Sequence, residues 1–438
     1  MARATAILPY TVAAQAEALE RARRLAAAGV DVVLAGPDAS ALPAQPGIHG
    51  IDVADRAEAL RRVLANGVSP ITLLDDPGDD TEALLRPIEA GTADAVFGLR
   101  PLTAEASWVR WADRALSRLA KALVNEPLVD PLTPVRAFRT SALRGLALTS
   151  RGSGVDAEIL VKLSAQRCRI LEVPLLHAGM NLGTSGRLDK ARTLLRYAAG
   201  QNAADDAHEG FNTLERMDDA HHYNAWIGRQ MEPHLGRRVL EVGAGIGTIT
   251  REIEAGRELL IALEMEAFYV ERLKNLFRDK PHVRPVLSGV ERADWERLQK
   301  ERLDTVVLSN VLEHIADDAA AVRNFRLALQ PGGALVTWVP ALPGLYGSLD
   351  EAVGHFRRYS AESLRAVLEG NGFAVEKLEW MNRIGIPGWW LNSVVLSRRA
   401  MPKLQLRVYD AAWPLLAQLD GVLRLPTGLS LFAVARAV

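Results

Sequence analysis

Ten residues, Val239 to Thr248, read Val-Leu-Glu-Val-Gly-Ala-Gly-Ile-Gly-Thr. A short apolar strand, Val239 to Val242, runs directly into glycines at three alternate positions, Gly243, Gly245 and Gly247, and an amphipathic segment opens at Ile249. Few folds accept that order. Glycines lack the Cβ that would hold a ligand off the backbone, and a helix N-terminus offers free amide groups. A strand, a glycine turn and a helix start therefore build a ligand cradle at the C-terminal edge of a parallel sheet. Glu264 closes the next apolar strand, Leu259 to Leu263, at the distance where a ribose hydroxyl pair needs an acceptor.

The rest of the chain has the alternation such a sheet requires. At 438 residues two or three domains are expected. Strands are expected at Thr5–Leu8, Asp31–Ala35, Ile71–Leu74 and Ala95–Phe97, and helices at Ala13–Ala28, Ala57–Ala65, Glu82–Ala90 and Trp108–Leu123. A polar stretch over 201–215 reads as a linker. Beyond it the strands would be Arg238–Val242, Leu259–Leu263, Val283–Leu287, Thr305–Ser309, Ala334–Val339 and Leu429–Ala437. The expectation is two tandem α/β domains, 1–200 and 216–438.

Charge and cysteine content narrow the function classes. Fifty-two basic residues balance fifty-three acidic ones, so no global field recruits nucleic acid or an anionic membrane. A single cysteine, Cys168, excludes an intrachain disulfide and a multi-cysteine metal site. Glu17, Glu20 and several arginines interrupt any signal-peptide pattern, and no run approaches the roughly 18–20 apolar residues of a membrane span. The expected location is cytoplasmic.

Several features join the glycine turn in the second half. Asp304 opens an apolar strand that ends Ser309-Asn310-Val311-Leu312-Glu313-His314, and Pro331-Gly332-Gly333 turns into the next strand. Taken in this order, the motifs resemble the class I S-adenosylmethionine-dependent methyltransferases, from about Tyr223 to the C-terminus. The resemblance implies a Rossmann-like fold and S-adenosylmethionine as cofactor. Glu241 and Gly243, Gly245 and Gly247 would face its methionine part, Glu264 its ribose, and Asn310, Val311 and the residues up to His314 the methyl-transfer cleft. The acidic residue that the family often places after its third strand is replaced by Val290, leaving Ser288 or Glu291 for the adenine. His314 and His355 are the candidate catalytic bases. In His-Phe-Arg-Arg-Tyr (355 to 359), Arg357, Arg358 and Tyr359 could grip an anionic acceptor; a solvated loop before a helix capped by Ser360 is the plainer reading. Gly385 to Asn392 could line an acceptor tunnel or touch a membrane surface peripherally, and core packing is the simpler expectation.

In the first half, Asp75-Asp76 follows the strand Ile71–Leu74. Farther on come Asp130 to Arg139, Ser153 to Leu160, and Thr184 to Arg187 leading into a basic helix. This succession resembles family 2 glycosyltransferases, in particular the dolichol-phosphate-mannose synthase group. The resemblance implies a GT-A-like fold, a sugar nucleotide, and Mg²⁺ or Mn²⁺ at Asp75 and Asp76. It implies phosphate handling by Arg136, Arg139 and Arg187. The front of the pattern is eroded: Ala35-Gly36-Pro37-Asp38 stands where the family has acidic residues and Gly-Ser for the base. The resulting expectation is a bifunctional chain that methylates a glycan, glycolipid or related small molecule. The alternative is a methyltransferase whose first domain only binds or scaffolds.

Overall fold

The computed structural model describes residues 2–66, 69–100, 107–124, 126–144, 146, 148–176, 184–199, 210–422 and 425–438, with backbone only at 107–110, 184–185, 210–213 and 403. Residues 201–209 of the expected linker lie outside the described residues. The chain divides into two compact units, Met1–Asp206 and Ala207–Val438.

Unit 1 is a seven-stranded sheet of β1 (Ala4–Pro9), β2 (Val30–Ala35), β3 (Ile48–Ile51), β4 (Ile71–Leu74), β5 (Ala95–Leu99), β6 (Arg136–Arg139) and β7 (Ile170–Pro174), in the order β3-β2-β1-β4-β6-β5-β7. Only β6 runs antiparallel to its neighbours. Every residue of β4 is buried, as expected for a strand covered on both faces. The helix Gln15–Ala27 turns Ala18, Ala22 and Leu25 onto this sheet at helical spacing. Strands β3 (Ile-His-Gly-Ile) and β6 (Arg-Ala-Phe-Arg) carry too few apolar residues to be anticipated from pattern, and β7, though richer in them, was also not anticipated. Their neighbours in the sheet decide them.

Unit 2 is a second mixed sheet of seven strands. Its members are β8 (Arg238–Val242), β9 (Leu259–Glu264), β10 (Val283–Leu287), β11 (Leu303–Ser309), β12 (Leu329–Pro340), β13 (Phe373–Met381) and β14 (Ser430–Ala437), in the order β10-β9-β8-β11-β12-β14-β13. The first five are parallel, and β14 pairs antiparallel with both β12 and β13. Alternate residues of β8 point to opposite layers: Leu240 and Val242 join one core cluster, Val239 the other. Strand β13 was not expected, because a register shift between Val375 and Lys377 interrupts its alternation. This architecture is that of a Rossmann-like α/β domain.

In both sheets the strand order reverses beside the first strand, between β1 and β4 and between β8 and β11. Chains leaving such neighbouring strands part to opposite faces and open a crevice. The segment expected to pack into the core, Gly385 to Asn392, does so only in part: Asn392 is buried, Gly385, Ile386, Gly388 and Trp389 are half-buried, and Pro387, Trp390 and Leu391 are exposed. Trp390 is 49% and Leu391 44% exposed, because only Asn392 and Ser393 of the turn Trp390–Val395 face inward. Among the described residues no helix is long and apolar enough to cross a membrane.

Candidate cofactor and acceptor site

The glycine turn after β8 is bent by three left-handed residues, Gly243 (φ +69), Gly245 (φ +55) and Gly247 (φ +87), a region that side chains other than glycine rarely occupy. The Gly243 and Ala244 amides both donate to the Leu263 carbonyl, at 2.9 and 3.1 Å, which ties the turn to the end of β9. The three glycines differ in what surrounds them. A Cβ on Gly243 would stand 2.5 Å from Val311 Cγ2, and one on Gly247 2.9 Å from Leu276 Cδ2. Those two positions are closed by the protein itself. Among the described residues, a Cβ on Gly245 meets nothing nearer than Leu214 at 3.8 Å. Gly245 therefore keeps a face of bare backbone that a ligand can approach.

Two buried carboxyls stand beside this face. Glu264, at the end of β9, accepts from the amides of Gly245 (2.7 Å), Met265 (2.7 Å) and Glu266 (2.9 Å). Burial raises its pKa against the pull of those donors. Glu241 is only 3% exposed, and its Oε2 has no hydrogen-bond partner among the described residues. Burial pushes its pKa up to about 8, opposed by the Thr250 hydroxyl. An orphaned buried carboxyl oxygen is uncommon and calls for a partner. Together with the open Gly245 face, it fits a cofactor carrying a cationic or hydrogen-bond-donating group and a ribose. Beyond β10, the Ser288 hydroxyl donates to the Gly289 carbonyl at 3.1 Å. The Glu291 carboxylate lies against Gly289, while Val290 packs on the core.

Across the crevice, β11 ends in Asn310, held left-handed (φ +53) with its amide donating to the Trp338 carbonyl at 2.8 Å. Val311 then packs against Gly243, and the turn Leu312–His314 follows. This turn brings together three groups that the sequence separates. Glu313 is fully buried with neither oxygen hydrogen-bonded, and burial lifts its pKa to about 8. The His314 and His355 rings meet edge to face, with centroids 4.6 Å apart. His355 Nε2 lies 3.8 Å from Glu313 Oε1, and its Nδ1 is 2.7 Å from Asp350 Oδ1. Although the His314 ring reaches solvent, surrounding protein, and secondarily His355, lowers its pKa below the ordinary histidine value. At neutral pH the ring is therefore uncharged.

The remaining residues of His-Phe-Arg-Arg-Tyr brace this turn from behind. The Arg358 Nε donates to Asp350 at 2.9 Å and its Nη1 to the Ala341 carbonyl at 2.8 Å. The Tyr359 hydroxyl donates to Asp318 at 2.7 Å, and Arg357 reaches Asp318 (2.7 Å) and the Ala316 carbonyl (2.6 Å). Arg358 and Tyr359 are buried and committed to protein acceptors, so the expected grip on an anionic acceptor gives way to a structural role. Ser360 caps the helix Ala361–Glu369, accepting from the Ser363 amide at 3.1 Å. Asp304 is also structural. It lies at the opposite, N-terminal end of β11 and accepts from the Arg237 and Arg238 amides at 2.8 and 2.9 Å.

Unit 1 engages its candidate residues differently. Asp75 takes a left-handed conformation (φ +66) and pairs with Arg21 at 2.7 Å; Asp76 pairs with Arg21 at 3.1 Å and with Arg24. Arginines thus stand beside the carboxylates where the resemblance implied a cation. Arg136 is fully buried, donates to the carbonyls of Thr133 (2.6 Å), Asp156 (2.7 Å) and Pro131 (3.2 Å), and lies 4.5 Å over the Phe97 ring. A guanidinium so spent is unable to reach a phosphate. Arg139 pairs with Asp94 at 2.7 Å and Arg187 with Asp113 at 2.8 Å. Lys190, from the basic helix, points inward onto Asp156 at 3.0 Å.

Two positioning carboxylates had no signal in the sequence. Asp218 accepts from the Thr248 hydroxyl at 2.7 Å and pairs with Arg251 and Arg272, which secures the far side of the glycine turn. Asp350, 36 residues or more from the turn that it supports, orients His355.

A family model described as a methyltransferase domain matches residues 207–378. The chain is 24% identical over 182 residues to an uncharacterized 37.1 kDa protein of a Streptomyces fradiae transposon, covering 40% of this chain and 51% of that protein. It is 33% identical over 86 residues to ribosomal RNA small subunit methyltransferase A of Treponema pallidum, covering 20% of this chain and 29% of that protein. It thus spans about half the length of the first of these curated relatives and less than a third of the second. Among solved structures, it is similar to a Haloferax volcanii methyltransferase in complex with the Trm112 activator, at 16% identity and a TM-score of 0.38, covering 53% of this chain and 96% of that one. It is also similar to an S-adenosylmethionine-dependent methyltransferase from Mesorhizobium loti, at 17% identity and a TM-score of 0.34, covering 49% and 97%. The C-terminal unit thus carries a methyltransferase domain over residues 207–378.

Proposed function

We propose that this chain moves a methyl group from S-adenosylmethionine to an oxygen or nitrogen of a small polar acceptor, and that unit 1 serves it as a binding or scaffold module. The observation that carries the reading is the pairing of the open Gly245 face with the orphaned Glu241 carboxyl. Glu241 and the bare backbone face of Gly245 would receive the methionine part, Glu264 the ribose hydroxyls, and Ser288 or Glu291 the adenine edge. When bound, the cofactor supplies an electrophilic methyl group. The protein's own task is alignment, and the rigid turn Asn310–His314 presents the acceptor side. His314 and His355 face that side and take charge of the acceptor's polar atom.

The scaffold reading of unit 1 is supported by the arginines paired with Asp75 and Asp76 and by the burial of Arg136. A glycan or glycolipid acceptor would follow from the glycosyltransferase resemblance of residues 1–200. The exposed Trp390 and Leu391 would suit a peripheral contact with a lipid-borne acceptor.

Calorimetry tests both halves. S-adenosylmethionine should bind the wild-type chain and bind Gly245→Val and Glu264→Ala more weakly; absence of binding heat with wild type removes the methyltransferase reading. Titration with sugar nucleotides and Mn²⁺ or Mg²⁺ should give no signal. Binding that Asp75→Asn abolishes would reinstate a sugar-transfer site in unit 1.

A further inference from the structure

We propose that Glu313, His314 and His355 form a binding site for a divalent transition-metal ion, of which Zn²⁺ is the best fit, on the acceptor side of the crevice. One ligand atom from each residue lies within 4.8 Å of the others. A tetrahedral ion with bonds near 2.1 Å needs ligand atoms roughly 3.4 Å apart, so the three side chains would have to draw in on binding. Glu313 brings an independent reason to expect an ion. It is fully buried, neither oxygen has a hydrogen-bond partner among the described residues, and the nearer ring nitrogen of His355 stands at 3.8 Å, too far to satisfy it.

The surroundings have the form of a metal's outer shell. A histidine that binds a metal through one nitrogen usually gives the other to a carboxylate or a carbonyl, which sets its tautomer and aim. His355 Nδ1 is held by Asp350 at 2.7 Å, which leaves Nε2 turned toward Glu313. Asp350 is fixed in turn by Arg358 at 2.9 Å, whose charge it balances. Glu313 itself is positioned through its main chain, its carbonyl accepting from the Phe356 amide at 2.8 Å. Two imidazoles and one carboxylate suit a borderline ion such as Zn²⁺, and leave a coordination position open.

The role of the ion, unlike its binding, rests on the methyl-transfer reading of the same crevice. A divalent ion at an open site lowers the pKa of an oxygen bound to it. An acceptor hydroxyl placed there would lose its proton to water before transfer, and no side-chain base would be required.

The test uses the full chain after chelator treatment and dialysis. Co²⁺ titration followed by visible absorption should show a single saturating equivalent with d–d bands, displaced by Zn²⁺. Glu313→Gln and His355→Gln should each weaken Co²⁺ binding about 10- to 100-fold, and Asp350→Asn by about tenfold. S-adenosylmethionine binding, measured without metal, serves as the folding control. If Glu313→Gln fails that control, His314→Gln replaces it, since that ring is exposed and its loss leaves the core intact. No saturable Co²⁺ or Zn²⁺ binding by wild type, or equal affinity in folded variants, overturns the site. A chain that binds S-adenosylmethionine and no metal refutes this inference alone. One that binds metal and no S-adenosylmethionine refutes the methyl-transfer reading instead.

Discussion

The two units present the same topological opportunity and use it in opposite ways. Each sheet reverses its strand order beside its first strand and ends its fourth strand at a crevice. In unit 1 the residue after that strand, Asp75, has Arg21 as a counter-charge on one oxygen, while its other oxygen is buried without a hydrogen-bond partner among the described residues. In unit 2 the equivalent end, Asn310 and Val311, faces a glycine turn with an open Cβ position and a buried carboxyl that lacks a partner. Both crevices hold a buried carboxyl oxygen without a hydrogen-bond partner, but only the first supplies its carboxylates with arginines; among the described residues Glu241 has no counter-charge. A buried carboxyl with neither a hydrogen bond nor a counter-charge costs more free energy than a paired one, so its persistence marks the crevice where binding is expected. A topological switch point alone does not.

The comparison can be broken first at Arg21. Arg21→Ala leaves the buried Asp75 without its cation and should cost unit 1 up to about 3 kcal/mol, a little below the usual range for breaking a buried pair because Arg21 is partly exposed. Hydrogen exchange should show the loss in peptides of unit 1, with S-adenosylmethionine affinity unchanged; a gain in stability would show that the pair is strained. Second, Gly245→Val should fill the cradle and raise the S-adenosylmethionine Kd on the order of 100-fold, or about 2.7 kcal/mol. An unchanged Kd would mean that the open face is not the binding face.

The third prediction concerns pH. Folded Glu241 has a pKa of about 8 against 4.5 for the free carboxyl, so the folded state keeps a proton that the unfolded chain has released. Unit 2 should therefore lose stability as pH rises from 4.5 to 8, at up to about 1.4 kcal/mol per pH unit. Glu241→Gln should remove this share of the slope in denaturant titrations and leave the share of Glu313, whose pKa is likewise lifted to about 8, while unit 1 is unaffected. The smallest effects are controls. Asp55→Ala and Ser360→Ala each remove one helix cap, in unit 1 and unit 2 respectively, and should cost about 1 kcal/mol apiece. Similar losses measured by thermal melts would confine the difference between the units to their crevices.

Much of the scaffold was legible because it is local. The strands of unit 2 that flank the glycine turn were anticipated within a residue or two, since short runs of three to five apolar residues bounded by charged residues, polar residues or glycine read as buried strands. Strand β6 was not, because Arg-Ala-Phe-Arg becomes a strand only between β4 and β5. The glycine turn and Glu264 announced a ligand site, but nothing in the pattern separated Gly245, which is open, from Gly243 and Gly247, which are closed by Val311 and Leu276. The cluster His355 to Tyr359 was read as charge facing solvent or substrate, whereas most of it is spent inside on Asp350 and Asp318.

The sequence alone determined two α/β sheets, a cofactor turn in the second, and the residue types able to do chemistry beside it. These depend on periodicity and on φ-permissive glycines, which act over a few residues. Only the tertiary structure decided which charges are matched and which are left over. Arg21 meets Asp75 across 54 positions, and His355 meets Glu313 across 42. Coulomb and hydrogen-bond partners at such separations are chosen by packing, so the distinction between a closed crevice and a receptive one exists only once the chain has folded.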